Sequence, residues 1–97
     1  MYASITTEKV KLEQLDEAAR AWQALLSAAP PQGLKSAYYL HDRESGEVII
    51  FGLWETEADA RAFETSGEFQ QATSKVAPYL DGMPSRKVYE LGAHVGE

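Results

Sequence analysis

The sequence predicts an α+β domain whose elements follow the order strand, helix, strand, strand, helix, strand. Three observations carry this. Residues alternate between two side-chain sets over 2–9 and 34–41, the period of a strand. Between those segments, apolar residues recur at three- and four-residue steps, the period of a helix packed on one side. Finally, Val48, Ile49, Ile50, Phe51, Gly52, Leu53 and Trp54 form a strand that is apolar at odd and even positions alike, so both of its faces need cover from water.

Taken in order, Ala3, Ile5 and Thr7 alternate with Tyr2, Ser4, Thr6 and Glu8 in a first strand over 2–9, rich in β-branched residues. A helix follows, its stripe formed by Leu12, Leu15, Ala19, Trp22, Leu25, Leu26 and Ala29, with Glu13, Asp16, Glu17, Arg20 and Gln23 turned away. Pro30 and Pro31 stop it, because proline has no N–H to donate and pushes the residue before it out of helical geometry. The second strand, 34–41, sets Leu34, Tyr38 and Leu40 on one side and Ala37, Tyr39 and His41 on the other. Asp42, Arg43, Glu44, Ser45 and Gly46 make a loop of hairpin length, so the strand at 48–54 pairs antiparallel with it.

Thr56 stands at a helix N-cap, where its hydroxyl can accept from the N–H of Asp59, and Glu57 and Asp59 favour the positive end of the helix dipole. That helix runs to about Thr65, Ser66-Gly67 interrupts it, and Phe69, Ala72 and Val76 predict a further short helix before Pro78. A last strand is expected over 86–93, with Val88 on one face and Tyr89 and Leu91 on the other. An internal echo, Ala19-Arg20-Ala21-Trp22 against Ala60-Arg61-Ala62-Phe63, fits two βαβ halves, each laying an aromatic on the sheet.

This order is the ferredoxin-like βαββαβ pattern: a four-stranded antiparallel sheet with its helices on one face and the first and third strands in the middle. Helices on one face leave the Ile49, Phe51 and Leu53 side of the third strand bare. Burying such side chains is worth roughly 1.5 to 3 kcal/mol each, against a net stability of about 5 to 15 kcal/mol for a domain of this kind. A homodimer with its sheets closed face to face is therefore expected, with these three residues at the interface.

Composition narrows the function. The 97 residues make one domain, 1–97, too small to enclose a large cofactor. The formal net charge of −6, with acids spread over both helices, argues against nucleic acid, which is held by clustered Lys and Arg. RNA-recognition modules share the topology, but the basic cluster and surface aromatics they use are missing. With no cysteine, disulfides, thiolate metal sites and cysteine nucleophiles are excluded. The N-terminus lacks the pattern of an export signal and the apolar run at 48–54 is far short of a membrane span, so a cytoplasmic location is expected.

The segment Phe51-Gly52-Leu53-Trp54-Glu55-Thr56-Glu57-Ala58, followed by Ser66-Gly67-Glu68-Phe69, resembles the dimeric α+β barrel superfamily and, within it, antibiotic-biosynthesis-monooxygenase-like domains. That resemblance implies a homodimer and a pocket in each subunit between sheet and helices. In some members it implies oxidation of hydroxylated aromatics by O2 without metal or flavin, the substrate's own phenolate or enolate supplying the electrons. The protein then contributes a dry cavity and groups that stabilise the anion. Trp54 matches the family's strand-end tryptophan, but Ile50 stands where monooxygenase members carry asparagine, and Phe63 and Glu64 occupy the neighbourhood of a common helix histidine. A haem-degrading branch uses a first-strand asparagine, a tryptophan and an iron-binding histidine. The first strand here has no asparagine, and Phe63 and Thr73 stand at the other two positions; a threonine hydroxyl is a poor iron ligand.

The expected pocket wall is Trp22, Trp54, Phe63, Phe69 and Thr73, whose aromatics also read as plain helix-to-sheet packing. The catalytic candidates are Tyr38, Tyr39 and His41, since phenol and imidazole can hold or deprotonate an acidic hydroxyl; the bland reading is an amphipathic strand before a hairpin. His41-Asp42 lacks further converging ligands, the other histidine being His94 near the C-terminus, so no metal and no cofactor are expected. Two functions compete: a cofactor-free oxygenase acting on a small hydrophobic aromatic, and a non-catalytic member that binds such a ligand or plays a structural part.

Overall fold

A computed structural model describes residues 1–96, save the side chains of Glu68 and Ala72. Four strands, β1 (Tyr2–Lys9), β2 (Leu34–His41), β3 (Glu47–Trp54) and β4 (Ser85–Glu90), form one antiparallel sheet in the order β2-β3-β1-β4. Three helices, α1 (Leu15–Ala28), α2 (Glu57–Glu64) and α3 (Gly67–Val76), accompany it. This is the ferredoxin-like α+β arrangement, with β1 and β3 central.

Local chemistry sets the helix boundaries. The Thr56 hydroxyl accepts from the Asp59 N–H at 3.0 Å and starts α2, and the Ser66 hydroxyl accepts from the Phe69 N–H at 3.0 Å and starts α3. Two caps ten residues apart therefore split the segment after β3 into two short helices. Ahead of α1, Leu12–Gln14 forms a 3-10 turn instead of a helical start. That turn rotates Leu12 out of the stripe and leaves it exposed, so the apolar face begins at Leu15, and Ala18 joins it in the core.

Two strands depart from expectation. A bulge between Leu34 and Ser36 sets Leu34 opposite Trp54, which moves Leu34 from the Tyr38 side to the face shared with Ala37 and Tyr39. Strand β4 runs over Ser85–Glu90 and stops well short of residue 93. Among the described residues its sheet neighbour is β1, and just beyond the strand the Leu91 N–H donates to the Met1 carbonyl at 2.9 Å.

The two ends of the sheet are packed differently. At one end Val10, Leu15, Ala18 and Val48 form a small core, with Tyr39, Ile50, Tyr79 and Leu80 against it. At the other, Trp54 lies beside Phe63 with ring centroids 5.5 Å apart, and Phe63 meets Phe69 at 5.2 Å. The Trp54 indole N–H donates to the Ser4 hydroxyl at 2.9 Å, which fixes the ring over Gly52. A Cβ on Gly52 would come within 2.8 Å of that hydroxyl, so the close approach needs glycine there.

The opposite face of the sheet carries Ile49, Phe51 and Leu53 from β3, with Tyr38 and Leu40 from β2 and Tyr89 from β4. Tyr38 is 56% exposed, Leu40 54% and Tyr89 46%. Among the described residues no helix is long and apolar enough to cross a membrane.

Candidate functional site

Between the two packed ends, the sheet and helices enclose a cavity of about 320 Å³. Its roof is aromatic and aliphatic: Trp22, Leu25 and Leu26 from α1, Phe63 from α2, and Phe69, Thr73 and Val76 from α3. The internal echo thus places one aromatic from α1 and one from α2, Trp22 and Phe63, on the same wall. Phe63 also lines a shallower groove of about 580 Å³ beside Pro31, Gln32, Asp59 and Gln71, so its ring is shared between the cavity and that groove.

The floor is polar along one central strand. Ser4, Thr6 and Glu8 project into the cavity from β1, flanked by Ile50 and Gly52 of β3, Ala37 and Tyr39 of β2, and Arg86 of β4. The apolar alternate residues of β1, Ala3 and Ile5, turn to the other face. Central strands under helices ordinarily carry apolar side chains inward, and here three consecutive inward positions do not.

Glu8 is the chemically distinctive member. It is buried among apolar groups, and burial raises its carboxyl above the ordinary value with no counteracting cation or hydrogen bond among the described residues. Nearby, the Tyr39 phenol is pushed up to about 12, first by burial and then by the negative charge of Glu8. At neutral pH Tyr39 is therefore a proton-bearing donor, and Glu8, when ionised, is the cavity carboxylate that can accept a proton.

Arg86 closes the other side of the floor. Its side chain is only 10% exposed and its guanidinium is ion-paired with Glu64 of α2. A second nitrogen donates to the Ala60 carbonyl at 3.1 Å, and the guanidinium carbon lies 5.9 Å from the ring centroids of both Trp54 and Phe63.

Of the expected pocket residues, Trp22, Phe63, Phe69 and Thr73 line the cavity, while Trp54 is 2% exposed and sits behind Phe63 as support. The tyrosine and histidine set is divided. Tyr39 faces the cavity, its ring 5.3 Å from that of Trp22; Tyr38 points from the opposite face. His41 stands edge-on to Tyr39 at 6.1 Å but outside the cavity lining, with its Nδ1 buried and unpartnered among the described residues. No three His, Asp or Glu side chains stand together as a metal site among the described residues. Glu8 and Arg86 carry no sequence motif; their one signal is that the polar half of β1 includes a carboxylate.

Comparison with known proteins places this fold. A candidate antibiotic biosynthesis monooxygenase from Bordetella bronchiseptica superposes with a TM-score of 0.81 at 14% identity, covering 95% of this chain and 97% of that one. A similarly described Deinococcus radiodurans protein gives 0.79 at 15% identity, covering 100% and 98%. A Nitrosomonas europaea protein of unknown function gives 0.78 at 20% identity, covering 99% and 93%. At these identities the likeness establishes the fold. No curated protein matches the sequence. The family model described as antibiotic biosynthesis monooxygenase matches residues 1–75, from β1 into α3, so the strands and helices that build most of the cavity are those the model recognises, and the chain belongs to that family.

Proposed function

We propose that the chain is a small monooxygenase-like enzyme that acts, without a cofactor, on a hydrophobic hydroxylated aromatic held in the cavity between sheet and helices. The observation that carries this is a largely apolar chamber containing one buried carboxyl, Glu8, poised to take a proton. Family membership and the resemblance to O2-using members supply the reaction class. In the proposed cycle, Glu8 removes an acidic proton from the substrate, whose enolate or phenolate then reduces O2. For an activated methylene, CH2 and O2 become C=O and H2O, so the substrate supplies all four electrons and no outside reductant is needed. Tyr39, protonated throughout, holds a substrate oxygen.

Oxygen uptake tests the proposal with a panel of anthrones and hydroquinones in chelator-treated buffer. The expected result is one O2 consumed per substrate, with Glu8→Gln slowing turnover by about 10²- to 10⁴-fold, the usual worth of a positioned base. Uptake no faster than buffer across the panel would overturn it.

A second reading is favoured by one observation: Ile50, at the position where the resemblance expects asparagine, lines the cavity. The missing amide removes a polar anchor and suits a chain that binds an aromatic ligand without transforming it. A ligand retained through purification, combined with no oxygen uptake, would select this reading.

We also infer a homodimer closed through the sheet face bearing Ile49, Phe51 and Leu53. The support is that this apolar face of the central strand lies away from the helices and continues into exposed Tyr38, Leu40 and Tyr89.

A further inference from the structure

The cavity floor holds charges of opposite sign. Arg86 pairs with Thr6 across the β1–β4 ladder, and Glu8 lies two residues farther along β1 on the same face. Diagonal neighbours of this kind have Cβ atoms somewhat under 7–8 Å apart. A planar ring system carrying an oxygen substituent can bridge such a span, with one edge toward each group. Burial of a guanidinium is costly unless it is paired and its N–H groups find acceptors. Here two hydrogen bonds, to Glu64 and to Ala60, engage two of the five guanidinium N–H groups among the described residues. The Trp54 and Phe63 rings flank the cation and keep it away from bulk water.

We propose that Arg86 is the anion anchor of the cavity, binding the phenolate or enolate oxygen of the ligand, and that Glu64 sets how much of its positive charge the ligand experiences. This rests on the cavity being the site for a hydroxylated aromatic. The charges balance: ionised Glu8 takes the hydroxyl proton and becomes neutral, while the negative charge passes to the ligand oxygen at Arg86. The charged groups lining the cavity are then Arg86 from β4 and Glu8 from β1, with neutral Tyr39 from β2, while Glu64 from α2 acts on the ligand through its ion pair with Arg86. Glu64 opposes ligand ionisation because it already compensates Arg86, yet its side chain is 38% exposed, so solvent weakens its hold.

The test uses 4-nitrophenol, whose phenolate absorbs in the visible, added to the full-length protein at a pH where the free probe is mainly neutral. Binding to the wild type is expected to raise the probe's apparent ionisation constant about tenfold, one pKa unit. Arg86→Gln should cancel that rise, Arg86→Lys should restore part of it, and Glu64→Gln should increase it beyond the wild type. The opposite signs matter: an ion pair that merely braced β4 against α2 would make both Gln variants lose binding together. The proposal is overturned if the probe binds the wild type as the neutral phenol, if Arg86→Gln leaves the phenolate band unchanged, or if Glu64→Gln diminishes it. Should Arg86→Gln fail to fold, the Glu64→Gln result decides alone. Ionisation of the probe without oxygen uptake from any substrate would refute the oxygenase reading and leave the anchor standing; failure of the probe to bind would refute both.

Discussion

Glu8 carries a thermodynamic penalty that a purely structural strand residue would shed. Its carboxyl is raised by burial, so the folded chain holds that proton to higher pH than the unfolded chain does. Below the ordinary carboxylate range Glu8 is neutral in both states and costs nothing in charge. As pH rises the unfolded chain loses the proton first, and stability falls until the folded carboxyl has ionised as well. Glu8→Gln should therefore match the wild type near pH 4 and exceed it at pH 8, each ~1 kcal/mol of relief raising the melting temperature by roughly 4–8 °C. Thermal denaturation at the two pH values checks the sign; a variant less stable than the wild type at pH 8 would show that Glu8 is held by favourable contacts. If the same substitution also removes oxygen uptake, the penalty is a functional one. Little of this was legible in the chain itself. Ser4, Thr6 and Glu8 alternate with Ala3, Ile5 and Thr7 in a way that fits a strand either way up, and only the register against β3 and β4 decides that the polar set turns inward.

At the scale of elements, the strands and caps were readable because their causes are local. The run of residues 2–9, the Thr56 cap and the break at Ser66-Gly67 each rest on residues within a few positions of one another. The Leu34 bulge and the end of β4 depend on what the neighbouring strand offers, which neighbouring residues in sequence do not encode. Ser66 links the two kinds of cause, since its hydroxyl starts the helix that brings Phe69 and Thr73 to the cavity roof. Ser66→Ala should cost about 1 kcal/mol in chemical denaturation, the usual worth of an N-cap, and should weaken aromatic-probe binding as α3 frays at that end. Unchanged binding together with lost stability would separate the cap from the site. The β2–β3 hairpin offers a second test. Gly46 has φ +81 and its carbonyl accepts from the Val10 N–H at 2.8 Å, while an added Cβ would strike the Val10 carbonyl. Gly46→Ala should destabilise by about 1–3 kcal/mol, the range for a strained backbone position, and should detach the hairpin from the core end of the sheet. Amide exchange at Val10 faster than in the wild type would register that detachment, and unaltered exchange would refute it.

For the whole molecule the deciding quantity is the apolar face left by one layer of helices. Burying Ile49, Phe51 and Leu53 offers about 5 to 9 kcal/mol per chain. Two chains together offer about 10 to 18 kcal/mol, against roughly 4–15 kcal/mol of lost freedom per association, and since the three side chains are already half-buried in the single chain, they alone make a marginal dimer. The adjoining Tyr38, Leu40 and Tyr89 enlarge the patch on the same face, and the Tyr38 ring stands 6.1 Å from Phe51, making one continuous apolar surface. A pairing across a twofold axis is self-complementary, so a charge placed near its centre meets its own copy. Phe51→Glu should therefore give a single-subunit mass by light scattering at micromolar concentration where the wild type gives twice that mass. Because residue 51 lies on the face away from the cavity, the variant's far-UV circular dichroism should remain that of a folded chain and 4-nitrophenol binding should persist. Wild-type protein with a single-subunit mass would sink the dimer, and a Phe51→Glu dimer would move the interface elsewhere. Loss of probe binding in a folded monomeric variant would mean that the second chain braces the sheet from beneath the site.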